Sequence, residues 1–164
     1  MEIREASIAD WDDIFPIFSA IVEAGQSYAL PLGLTSEEAR PWWMESPPGR
    51  TVVAFDGVSL LGTAKMGPNR PGRGSHIATA SFMVNPEFER QGVGHSLGVH
   101  VIEWARAAGY VGIQFNAVVE SNIAAVRAWE KLGFRVLTTV PQAFDHREYG
   151  LVGLHVMFLE LRPE

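Results

Sequence analysis

The stretch FMVNPEFERQGVGHS, residues 82–96, joins an apolar run to a helix start through a turn with two closely spaced glycines. Phe82, Met83 and Val84 close a strand that begins at His76, and Pro86 ends it because proline offers no N–H to a ladder. From Val93 onward, apolar residues at 97, 101, 104, 105 and 108 form one helical stripe, with Gly109 as the stop. Gly92 and Gly94 let successive backbone N–H groups converge on one concave site, where the helix dipole adds roughly half a positive charge. Such a turn holds a phosphate with few basic side chains. Taken alone it is also a plain tight turn before a helix, so its surroundings decide.

Downstream, Val111 to Val119 reads as a strand, Asn122 caps a helix running to Leu132, and Gly133 stops it. Phe134 to Val140 and Leu151 to Leu161 are the last strands. Upstream, Thr51 to Phe55 and Leu60 to Met66 flank Asp56-Gly57, a strong hairpin signal, and residues 67–74 are turn-rich and locally basic. Ile3 to Ala6 reads as a first strand, after which Ser7 caps a helix with Trp11, Ile14, Phe15, Phe18, Ile21 and Val22 on one face. Pro16 predicts a kink there and Gly25 a stop. Residues 26–34 are irregular, and Thr35 with Glu38 has capping-box spacing ahead of a short helix carrying Trp42 and Trp43. This order predicts an α/β (α+β) domain: a mixed, mostly antiparallel sheet with a parallel pair near its middle and helices on both faces.

The 164 residues suit a single domain with its own core. Thirteen Lys plus Arg against nineteen Asp plus Glu give a formal charge of −6, so the long-range field repels nucleic acid and anionic membrane. With no cysteine, disulfides, thiolate metal sites and a Cys nucleophile are excluded, and no His/Asp/Glu spacing points to a metal. No apolar run approaches the roughly 18 residues of a membrane span, and MEIREASIADW lacks a signal-peptide layout, so a cytoplasmic location is expected.

Two familiar phosphate loops fail. Gly92, Gly94 and Gly98 are spaced Gly-x-Gly-x-x-x-Gly rather than as a dinucleotide fingerprint, and no Gly-Lys-Ser/Thr exists. Val84-x-Pro86, the Gly92-Val93-Gly94 turn, Asn122 and Glu130-Lys131-Leu132-Gly133-Phe134 instead stand in an order and spacing that resemble the GNAT superfamily of acetyl-CoA-dependent N-acetyltransferases. The resemblance covers Leu60 to the C-terminus well and the first 50 residues only in pattern. It implies a GNAT fold whose central parallel strands splay, with the pantetheine arm of CoA lying in the gap like an extra strand.

Carried onto this sequence, the pyrophosphate site maps to Gln91, Gly92, Val93, Gly94, His95 and Ser96, with Arg90 assisting where Glu89 replaces the family's usual Arg or Gln. Pantetheine and acetyl contacts map to Met83 and Val84, mainly through backbone atoms, and Asn122, Ala125 and Trp129 flank the thiol end. Many members have tyrosine where this chain has Trp129, and an indole cannot protonate a departing thiolate. Leu61-Gly62-Thr63, Pro68-Asn69, Ser75-His76, Phe82-Met83-Val84-Asn85, Phe115-Asn116, Asn122, Trp129 and Val140-Pro141 are similar to the narrower group of proline-analogue (azetidine-2-carboxylate) acetyltransferases. Two of that group's asparagines map to Asn116 and Asn122 and a third to Thr79, which makes Thr79 and Asn116 the candidate substrate residues.

The resemblance implies direct attack of a small amine or imino acid on the acetyl thioester, with the Val84 N–H as oxyanion donor and Asn116 orienting the amine or a water. Acetylation of a protein or peptide amine, and non-catalytic acyl-CoA binding, are the alternatives, and a homodimer is the family's common assembly. His76, His95, Glu120, His146 and Tyr149 are candidate bases, although a surface position is the favoured reading of these residues. Tyr28, Trp42 and Trp43 are either core or a wall of the substrate pocket.

Overall fold

Alternation along the strands divides the apolar residues of this chain between two faces of one sheet, and the helices follow that division. The computed structural model describes residues 1–161. In chain order these form β1 (Glu2–Glu5), α1 (Trp11–Ala24), α2 (Ser36–Trp43), β2 (Arg50–Asp56), β3 (Ser59–Pro68), β4 (Ile77–Val84), α3 (Val93–Ala107), β5 (Gly112–Val119), α4 (Ile123–Lys131), β6 (Arg135–His146) and β7 (Gly150–Glu160). The sheet order is β1-β2-β3-β4-β5-β7-β6, with β4 and β5 parallel and the other neighbours antiparallel.

One core joins Val52, Ala64, Met66, Ala78, Ile113 and Phe115 of the sheet to Val93, Leu97 and Val101 of α3 and Trp129 of α4. The other joins Val53, Leu60 and Met83 to Trp11, Ile14 and Phe18 of α1 and Trp43 of α2. Gly62 fixes how closely α3 approaches: a Cβ there would stand 2.9 Å from Val93 Cγ1 and 3.0 Å from the Met83 carbonyl. The first turn of α3 is thereby pressed against β3 and β4.

The mixed sheet, the hairpin at Asp56-Gly57 and the capping box at Thr35 are as expected. Three local features differ. Ser7 precedes a single 3-10 turn, Ile8–Asp10, and α1 begins only at Trp11, because the Asp10 carboxylate takes the Ser7 N–H at 2.6 Å and two Arg4 bonds at 2.8 and 2.9 Å. α1 remains helical through Pro16 to Ala24. β6 continues past Pro141 to His146, where a strand ending at Val140 is expected. It can do so as an edge strand, because a register shift between Val140 and Phe144 leaves Pro141, Gln142 and Ala143 outside the ladder.

Candidate active site

The parallel pair is short. β4 and β5 register only at Ile77↔Gly112 and Ala78↔Ile113, after which they diverge. β5 instead follows β7, with an irregularity between Phe115 and Val118 that bends it further from β4. Antiparallel pairing alternates, and the Asn69 N–H to Ile77 and Asn85 N–H to Leu61 bonds, both 2.8 Å, mark the odd-numbered positions of β4 as the ones bonded to β3. The N–H and C=O groups of Ala80, Phe82 and Val84 therefore face the gap. Val84, one of the sequence-derived site residues, is among these. Met83 is not: its backbone belongs to the β3 ladder opposite Thr63, and its side chain is 1% exposed in the core. The Met83 backbone, expected to face the cofactor, is thus bonded within the sheet, and the groups that face the gap are those of Phe82 and Val84.

At the mouth of the gap lies the start of α3. Gly92, with φ +80°, is its N-cap and provides no side chain, and the first turn contains no acidic residue. The first intrahelical bond is donated by Ser96 to Gly92, so the N–H groups of Val93, Gly94 and His95 have no helical partner. A Cβ on Gly94 would meet only Val84 Cγ2, at 3.6 Å, which ties this turn to the free edge of β4. The Val93 side chain is buried against Gly62, while Arg90, Gln91 and His95 are exposed around the turn. The arrangement is a ready anion site beside an unpaired strand edge.

On the far side of the gap, Asn122 Oδ1 accepts the Ala125 N–H at 3.2 Å, so this side chain caps α4 and leaves its NH2 for other partners. Ser121, beside it, has a buried Oγ with no hydrogen-bond partner among the described residues. Trp129 is 8% exposed and packs against Phe82 (ring centroids 4.5 Å) and Phe115 (5.1 Å), forming an aromatic floor beneath the divergence. Gly98 makes room for it, since a Cβ there would stand 3.1 Å from the indole.

On the opposite face lie neutral polar groups. Ala78 and Ile113 face the α3 core, so Thr79, Gln114 and Asn116 turn toward the α1 and α2 side. Gln114 Nε2 donates to Asn116 Oδ1 at 3.0 Å, and Asn116 Nδ2 donates to Asn69 Oδ1 at 2.7 Å. Asn69 and Gln114 are missing from the sequence-derived site; the polar i, i+2 pair on an otherwise apolar strand was the available signal for Gln114. Tyr28, in the connection between α1 and α2, bonds to Phe82: its hydroxyl accepts the Phe82 N–H at 2.8 Å and donates to the Phe82 carbonyl. Burial pushes this phenol well above its ordinary pKa, so it stays a neutral donor.

The candidate bases separate. His76 and His95 are exposed, and His76 lies at the closed end of the parallel pair. Glu120 is partly buried rather than free in a turn, because its carboxylate accepts the Gly153 N–H at 2.7 Å. His146 is 5% exposed and stacks on the exposed Tyr149 at 4.5 Å. Its Nδ1 accepts the N–H groups of Glu148 and Tyr149, at 3.1 and 3.3 Å, which leaves the proton of the neutral ring on Nε2. The tip of β6 and β7 reaches α1 through the Arg147 N–H to Gly25 bond of 2.9 Å, and so borders the same face as Tyr28. Trp43 is core, whereas Trp42 is 44% exposed.

Comparison with known proteins agrees with this geometry. The family model for the acetyltransferase (GNAT) family matches residues 11–134. A GCN5-related N-acetyltransferase from Kribbella flavida is 51% identical and superposes with a TM-score of 0.94, covering 98% of this chain and 97% of that one. The N-acetyltransferase aca1 of Schizosaccharomyces pombe is 32% identical over 128 residues, 69% of this chain, and the match spans 61% of the yeast protein's length. The fold is shared with yncA, a putative acetyltransferase from Salmonella typhimurium solved with its cofactor acetyl-CoA, at a TM-score of 0.84 and 24% identity over 100% of this chain and 95% of that one. Its matched family model, its diverging parallel strands and its glycine turn together establish that the chain belongs to the GNAT acetyltransferase family.

Proposed function

We propose that the chain is an acetyl-CoA-dependent N-acetyltransferase acting on a small amine or imino acid. The observation that carries this reading is the adjacency of the uncapped α3 start to the unpaired edge of β4. The donors suit a diphosphate followed by an amide-bearing arm: the N–H groups of Val93, Gly94 and His95, with Gln91, Ser96 and Arg90 side chains beside them, for the phosphates, then Val84 N–H and C=O for the arm. Asn122, Ala125, Ser121 and the Trp129 ring border the thiol end. The cofactor supplies an activated acetyl thioester that the amine nitrogen attacks.

Each residue then has a definable task. With the Val84 N–H engaged by the arm, the oxyanion donor is the next gap-facing N–H along β4, that of Phe82. Asn116 and Thr79 stand on the face from which an amine approaches, and the Asn116 amide orients the amine or a bridging water without taking its proton. Trp129 supplies no acid, and none is required: a thiol of pKa about 8.5 leaves as thiolate at pH 7 for only about 2 kcal/mol. The chain of Gln114, Asn116 and Asn69 offers neutral amide donors and acceptors to the approaching amine.

Among the described residues no helix is long and apolar enough to cross a membrane. A cytoplasmic location stays a proposal, as does a homodimer through the β6 edge, where Val136, Leu137 and Val140 are exposed. The deciding experiment is a CoA-release screen over amines, proline analogues and peptides, run beside calorimetry with CoA. Turnover of a small amine is expected. Turnover of peptides alone would replace the substrate class, and CoA binding without release on any amine would make this a regulatory module.

A further inference from the structure

Phe82 presents its N–H and C=O to the gap two residues deeper than Val84, counting from the α3 turn. An arm that enters at the phosphate turn and runs along β4 as an added strand reaches Phe82 next, offering a carbonyl to its N–H and a donor to its C=O. In the structure both of those groups are bonded to the Tyr28 hydroxyl. Tyr28 also adopts φ +64°, a left-handed conformation that a tyrosine rarely takes, and its ring stands edge-on to Trp43 at 6.1 Å. The phenol is thus held at the strand edge by a strained connection between α1 and α2. That connection also begins under the β6–β7 tip, where the Gln26 amide donates to Glu148 at 3.3 Å.

We propose that Tyr28 is a positioning residue that competes with the acyl arm for Phe82: its hydroxyl satisfies the strand edge before loading and yields it when the arm enters. This deepens the acetyl-CoA reading and rests on it. The connection carrying Tyr28 lies on the amine side of the sheet, so arm entry reshapes that side.

The test uses two ligands, acetyl-CoA and 3′-phospho-ADP, which is the nucleotide half without the arm. In Tyr28→Phe the competitor is gone, so acetyl-CoA is expected to bind roughly three- to tenfold more tightly, the factor of about one ordinary hydrogen bond. 3′-phospho-ADP should bind both proteins equally. A purely structural tyrosine would not raise affinity for the arm-bearing ligand alone, so unchanged or weaker acetyl-CoA binding with equal nucleotide binding overturns the proposal. If neither ligand binds the wild-type chain, the cofactor reading falls and this inference with it. Hydrogen exchange on the wild-type protein keeps the question open to refutation if Tyr28→Phe does not fold. Acetyl-CoA, but not 3′-phospho-ADP, should increase exchange in residues 26–34, and equal protection with both ligands overturns the proposal.

Discussion

α3 and α4 both follow a strand that borders the gap, yet their first turns are opposites. α4 closes its own end, with Asn122 accepting the Ala125 N–H. α3 begins at Gly92 with neither a side-chain cap nor an acidic residue, leaving the N–H groups of residues 93–95 without helical partners. Of the remaining helices, α2 has the Thr35–Glu38 box, and α1, which has no side-chain cap either, has Asp12 and Asp13 in its first turn. A helix end left open beside an unpaired strand is where an anionic ligand gains most, because the donors are already oriented and carry the dipole. The difference also explains how a chain of net charge −6 can hold a diphosphate: short-range backbone donors act where the long-range field opposes.

The strongest attempt to break this contrast is Gly94→Asp. A carboxylate in the first turn favours the helix but repels phosphate, so CoA should bind roughly 30-fold more weakly with stability unchanged or slightly raised. Titration calorimetry beside thermal unfolding reads both, and equal CoA affinity would remove the anion assignment from α3.

That contrast was half legible in the sequence. Gly92 and Gly94 after Pro86 locate the α3 turn because proline and glycine act locally, and Asn122 announces its cap for the same reason. What pairs across distant segments was not legible: nothing local tells that Tyr28 reaches Phe82, that Asn69 reaches Asn116, or that His146 is buried on its own turn. Met83 and Val84 look alike in sequence, and only the register with β3 assigns their backbones to opposite sides.

Smaller effects sharpen the comparison. Asn116→Ala removes both amide bonds on the amine side, and should lower kcat about tenfold while KM for acetyl-CoA stays within about twofold. Steady-state kinetics with the best amine decides; an unchanged kcat returns Asn116 to a structural role. Asn122→Ala removes the α4 cap and should cost about 1 kcal/mol of stability, with less effect on CoA affinity than Gly94→Asp. Denaturant titration reads this, and a larger loss of CoA binding than of stability would mean that both helix starts hold the ligand.

The weakest expected effect on the site comes from a third helix start. The Arg4 guanidinium and the Ser7 N–H hold the Asp10 carboxylate well below the usual aspartate range. A depressed folded value stabilises fully above the unfolded pKa, near 4, and the contribution is lost as pH falls through the depressed value. Asp10→Asn should therefore flatten the acid limb of stability against pH without altering CoA affinity, as unfolding and calorimetry from pH 2 to 7 would show.

The central claim concerns one turn, and amide chemical shifts address it residue by residue. Titrating CoA into the isotope-labelled chain should move the amides of Val93, Gly94 and His95 most, with Ser96 and Ala125 moving less because their N–H groups are already bonded to Gly92 and Asn122. Largest shifts at the start of α4, or none at residues 92–96, would contradict the account.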